Sequence, residues 1–105
     1  MNNATKEIAL RNKKKLIFDL LDKNDPVVVH AIMFLETHFL IIDQVKHTDY
    51  STPFHYVFKE RLVLPRWKLA ELCNLSEKSM SRRENEIVDS FFFFIKQKLI
   101  INFNS

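Results

Sequence analysis

Apolar positions recur along this chain in runs long enough for helices, separated by short polar connections. From residue 5 to 22, Ile8, Leu10, Leu16, Ile17, Leu20 and Leu21 form a broken apolar stripe around the lysine triplet 13–15, which predicts a first helix. Asn24-Asp25-Pro26 is a stop and a start together. Asp25 suits an N-cap, and Pro26 suits a first helical turn, where its missing N–H costs nothing. The second helix is expected from Pro26 to about Lys46, and its apolar residues cover nearly the whole circumference, so it is either central to the core or shared with a partner subunit. After the polar connection 47–52, Pro53 is expected to open a short third helix ending near Leu62. Leu64-Pro65 marks the next boundary, because the residue before proline avoids the helical region. A fourth helix is predicted from Pro65 or Arg66 to about Cys73, and a fifth after Ser76, reaching Lys96 or beyond. The tail from Leu99 reads equally as the end of that helix or as a short strand. The pattern therefore predicts a single all-α domain over residues 1–105, of about five helices. An N-terminal helical hairpin (1–50) is suited to oligomerisation, and the C-terminal half (54–98) holds a helix-turn-helix.

Composition narrows the function classes. With 47% hydrophobic and 28% charged residues the chain reads as a globular protein and not a disordered tail. It contains no glycine, which excludes the glycine-rich phosphate loops and dinucleotide fingerprints and argues against tight Asn-Gly hairpins. Cys73 is the one cysteine, so an internal disulfide and a multi-cysteine zinc site are both excluded, in keeping with a reducing, cytoplasmic location. His30, His38, His47 and His55 lack metal-ligand spacing, and neither a metal nor a cofactor is expected. No glycine-flanked serine or local Ser/His/acid arrangement is present, so no enzymatic activity is expected; Cys73 falls on an inner helical face, and Glu84/Glu86 and Asp22/Asp25 are read as exposed. No secretory signal follows the lysine triplet, since Asp19 and Asp22 break the apolar run. His30, Glu36, Thr37 and His38 interrupt the stretch from Val27 to Ile42, and it is read as a buried helix rather than a membrane span.

The net charge of +3 is unevenly placed. Seven acids balance the seven bases up to Pro53, and the excess lies beyond it. That half contains Arg66 to Ile87, which has the internal order of a helix-turn-helix. Small Ala70 stands where two crossing helices touch, and Leu69, Cys73, Leu75, Met80 and Ile87 stand where they share apolar contacts. Asn74 occupies a turn that wants a left-handed residue, and Ser76 can cap the second helix. Two consecutive amphipathic helices of an ordinary bundle would carry several of the same features.

Leu69-Ala70-Glu71-Leu72 through Leu75-Ser76-Glu77-Lys78-Ser79-Met80-Ser81-Arg82-Arg83 resembles the helix-turn-helix of sigma-factor region 4. More narrowly, it is similar to phage-encoded activators of late transcription of the ArpU and RinA type. The resemblance spans about residues 54 to 94, with the segment 56–62 as the buttressing helix. It implies a DNA-binding transcriptional regulator encoded by a phage or mobile element, with double-stranded DNA as partner. On that docking Lys78, Ser81, Arg82 and Asn85 reach base edges, and Arg66, Lys68 and Arg83 hold phosphates. Solvated helix faces with internal ion pairs, such as Arg82 with Glu86, are the plainer reading of the same residues. The chain departs from the pattern in having Asn74 for the usual turn glycine, and in Glu77, Glu84 and Glu86, which make the second helix unusually acidic. Those glutamates support an alternative: a protein-interaction module that binds RNA polymerase or another transcription protein and modulates it without touching DNA. Trp67 is read as a core or interface anchor.

Phe91, Phe92, Phe93 and Phe94 together encircle a helix, since consecutive residues point about 100° apart. A monomer of this size has difficulty burying all four rings, so these residues, with Phe34 and Phe39 of the second helix, are expected to form a homodimer interface. A monomer whose N-terminal helices wrap the rings is the competing expectation.

Overall fold

Capping residues set most of the helix boundaries. The computed structural model describes residues 3–104, and the side chains from Ala4 to Leu99. α1 (Asn3–Asp22) ends where Asn24 turns left-handed (φ 54°), with the Asn24 and Asp25 amides returning to the carbonyls of Leu21 and Leu20 (both 3.0 Å). α2 (Pro26–Lys46) starts at once. The Asp25 carboxylate accepts from the amides of Val27 (3.0 Å) and Val28 (3.2 Å), as its N-cap position predicts. α4 (Arg66–Leu72) closes on Asn74 (φ 56°), whose amide and that of Leu75 bond back to Glu71 and Ala70. In a chain without glycine, asparagine is the residue that enters the left-handed region at least cost, and it does so at both of these helix ends.

α3 (Ser51–Pro53) begins two residues earlier than the proline suggests, and continues into a π-helical turn over Phe54–Lys59. Its start is fixed from a distance. The Asp43 carboxylate, near the end of α2, accepts from the Tyr50 amide (2.8 Å), the Ser51 amide (2.9 Å) and the Ser51 hydroxyl (2.6 Å). α5 (Glu77–Asn104) begins after Ser76, whose Oγ accepts from the Ser79 amide at 3.1 Å, and it resolves the ambiguity of the tail in favour of helix.

The described residues form five helices and no strand around one shared core. Leu10 and Ile17 come from α1, and Val28, Ala31, Leu35 and Phe39 from α2. Phe54, Val57 and Phe58 come from α3 and its π turn, Leu69 and Ala70 from α4, and Met80, Ile87, Val88 and Phe91 from α5. Its centre is aromatic. The Phe91 ring lies 6.0 Å from Phe54 in a stacked pair and 5.3 Å from Phe58 in a tilted one.

One expectation is corrected by this packing and two are narrowed. Phe91 and Phe39 are buried inside the monomer and unavailable to a second chain; Phe92 and Phe94 are half-buried against the core, which leaves Phe93 and Phe34 exposed. Trp67 is 55% exposed and takes no part in the core, so its role as a core anchor is lost. α2 is buried only along Val28, Ala31, Leu35 and Phe39, leaving Val29, Met33, Phe34, Leu40, Ile41 and Val45 exposed. By length and composition α2 could cross a membrane. However, its inner stripe is embedded in the domain core and its Glu36 is paired with Lys59 of the π turn at 2.7 Å.

Candidate nucleic-acid interface

The first turns of α5 are held by a buried stripe at helical spacing: Met80, Glu84, Ile87, Val88 and Phe91. Glu84 is the exception in kind, a carboxylate only 1% exposed, and Lys14 of α1 donates to its Oε2 at 2.9 Å. The expectation that Glu84 lies on an exposed face is therefore wrong, because a residue four after Met80 and three before Ile87 falls inside the core stripe. Glu86 is also engaged. Its carboxylate accepts from the Tyr50 hydroxyl, and Arg83 lies with its guanidinium 4.1 Å from the Tyr50 ring centroid. Arg83 is thus held on the Tyr50 flank of the helix, outside the groove described below.

On the opposite flank α1, residues 64–66 and α5 enclose an open groove of about 1220 Å³. Lys78, Ser81, Arg82 and Asn85 all line it. Lys78, Arg82 and Asn85 are exposed and Ser81 is half-buried; the Asn85 amide nitrogen donates to the Ser81 carbonyl at 2.8 Å, and its side-chain oxygen has no partner among the described residues. Among the described residues neither Lys78 nor Arg82 has a carboxylate partner, so the ion pair suggested for Arg82 with Glu86 does not form. Arg66 lines the groove too, its Nη1 bonded to Glu7 of α1 at 2.6 Å and its Nε buried without a partner among the described residues. Lys68 is exposed on α4, its ammonium 5.6 Å from the Trp67 ring centroid, and lies outside the groove. α4 and α5 meet through a four-residue turn, with Ala70 and Cys73 buried.

The arrangement brings in residues that the sequence pattern did not single out as site residues. Lys6, Arg11 and Lys13 of α1 line the same groove. The lysine triplet was the available signal, but nothing in the linear chain indicates that α1 lies along α5.

Two groups here are shifted by their surroundings. Burial, reinforced by Asp49 and Glu84, pushes the Cys73 thiol from 9.0 up to about 11. The hydrogen bond to Glu86 raises Tyr50, and burial adds to it. Each group is favoured in its neutral form by the fold. The stability it contributes is present below its unfolded value and is lost as pH rises through the folded one. Folding stability is therefore expected to fall between pH 9 and about 11, and Cys73→Ala to flatten that decline, as read from urea midpoints across the range.

Among the described residues no group of three His, Cys, Asp or Glu is placed to hold a metal ion. No family model, curated protein or solved structure matches this chain.

Proposed function

We propose that this protein is a DNA-binding transcriptional regulator that reads duplex DNA with the first turns of α5, α4 and α5 acting as a helix-turn-helix of the sigma-region-4 kind. One observation carries the reading. Of the three glutamates that argued against DNA, Glu84 is buried on Lys14 and Glu86 is held by Tyr50. Lys78, Arg82 and Asn85 are left on the outer face, and of the three carboxylates lining the groove Glu7 is paired with Arg66 and Glu84 with Lys14, which leaves Glu77. Arg82 has the fork geometry for the O6 and N7 edge of guanine, and Asn85 the amide for adenine. Lys68 on α4 stands where a first helix crosses the phosphate backbone.

A gel shift on the DNA upstream of its own gene, at two salt concentrations, tests this. Arg82→Ala is expected to cost about 1–3 kcal/mol and to relax base preference at one position, and Lys68→Ala to weaken binding equally on all sequences. Unchanged binding in both variants would contradict the docking.

The reading includes a second copy of the chain. Val29, Met33 and Leu40 run along one edge of the outward face of α2 and Phe34, Ile41 and Val45 along the other. Phe34 and Phe93 also line an apolar groove of about 660 Å³ between α2 and α5. These seven side chains are 38% to 71% exposed, and a contiguous apolar face of this kind on a small domain marks an interaction surface. Two copies joined through α2 would present two α5 N-termini to two half-sites.

A second reading, a module that docks on RNA polymerase or another transcription protein, is favoured by exposed Trp67, the residue type that most often anchors protein interfaces. Capture of polymerase without salt-sensitive DNA binding would favour it.

A further inference from the structure

We infer that α1 is the second wall of the nucleic-acid interface, and that Lys6, Arg11 and Lys13 grip the phosphate backbone of the duplex strand alongside the one that α5 reads. The inference rests on the DNA reading above and extends it to the N-terminal half, whose linear charge is neutral.

The fold gathers what the linear charge count hides. Seven basic side chains line the groove between α1 and α5 against three carboxylates, a surplus greater than the +3 of the whole chain. Some of that charge is spent inside the protein, on the pairs Lys14–Glu84 and Arg66–Glu7. Lys13 keeps only a loose, exposed contact with Asp89 at 3.9 Å. Lys6 and Arg11 on one wall, and Lys78 and Arg82 on the other, have no carboxylate partner among the described residues. Between the walls lies Arg66, whose Nε is buried without a partner among the described residues.

The form of the site selects the ligand class. Its cations are strung along two walls of an open groove and do not converge on one point, which is the pattern for a linear polyanion and not for a small phosphate compound. Lys6 and Lys13 are seven residues apart, about 10 Å along the helix axis, which is about the axial rise of three phosphate-to-phosphate steps on one strand. The buried Lys14–Glu84 pair joins the two walls, so α1 and α5 meet the duplex as one rigid unit.

The test is fluorescence anisotropy of the full-length protein on a mixed-sequence duplex of about 30 base pairs, three helical turns, titrated across salt. The probe is sequence-independent because phosphate contacts are. Lys6→Ala/Arg11→Ala is expected to lower the slope of log affinity against log salt by about 2, since each lost phosphate contact removes about 0.9, and to weaken binding by the same factor on every sequence. Both side chains are exposed and outside the ion pairs, so the variant keeps the wild-type circular dichroism and melting curve. A wild-type slope in the double variant overturns the inference and leaves the α5 reading standing. Equal binding of the wild type to polyglutamate also overturns it, since the groove would then be a general anion surface. Absence of duplex binding by the wild type at low salt removes the DNA reading, and α1's part in it falls with it.

Discussion

Phe91→Ala is expected to lower the stability of the monomer by about 3–5 kcal/mol, a drop in melting temperature of ~15 °C or more for a domain of this size. The ring is 0% exposed, stacks on Phe54 and tilts against Phe58, and so joins α3 to α5 at the centre of the core. Removing it loses both the transfer free energy of the ring and the contacts around the cavity left behind. Phe93→Lys provides the contrast. With its side chain 66% exposed, that change is expected to move the melting temperature by no more than a surface substitution does. Its effect appears instead in sedimentation equilibrium, where the proposed dimer shifts to monomer. Two residues apart, the same residue type serves the core in one case and association in the other. Equal thermal losses in the two variants would contradict this division.

Lys14→Met is expected to cost about 3 kcal/mol, because it leaves the Glu84 carboxylate buried with no opposite charge. A buried pair of this kind contributes little net stability when intact, since desolvation offsets most of the attraction. Breaking it from one side exposes that desolvation cost. The double variant Lys14→Met/Glu84→Leu, which removes both charges, is therefore expected to recover most or all of the loss in urea denaturation. The two single changes would then be strongly non-additive. The recovered double variant should still bind duplex DNA, because neither residue supplies a free charge to the groove. If the double variant is as unstable as Lys14→Met, the cost lies in lost packing of the lysine stem and not in a stranded charge.

Much of the architecture was legible in the linear sequence because local chemistry sets it. Asp25 and Pro26 start α2, and Asn74 and Ser76 end one helix and begin the next; Pro26 acts through its fixed φ, and the other three through a bond to a residue no more than four positions away. Pro53 marks the start of α3 two residues late because its first turn is held by Asp43, eight residues upstream of Ser51 on another helix. The candidate site was half legible. Lys78, Ser81, Arg82 and Asn85 do share one groove, and the stripe Met80–Ile87–Val88–Phe91 could have shown that position 84 faces inward. The neutralising partner, Lys14, is seventy residues away, and only the packing of α1 on α5 brings it near. The same long-range packing turns a charge-neutral N-terminal half into a basic groove wall. The phenylalanine run is ambiguous in the sequence for a related reason. Circumference alone does not say which of four rings meets Phe54 and Phe58.

Titrating a duplex into isotope-labelled protein and mapping the amide shifts by NMR shows whether DNA is held on the α5 surface bearing Lys78, Arg82 and Asn85. The largest perturbations are expected over residues 77–86, with a second set on α1 between Lys6 and Lys13. Shifts confined to the outward face of α2, or none at all at low salt, would contradict that placement.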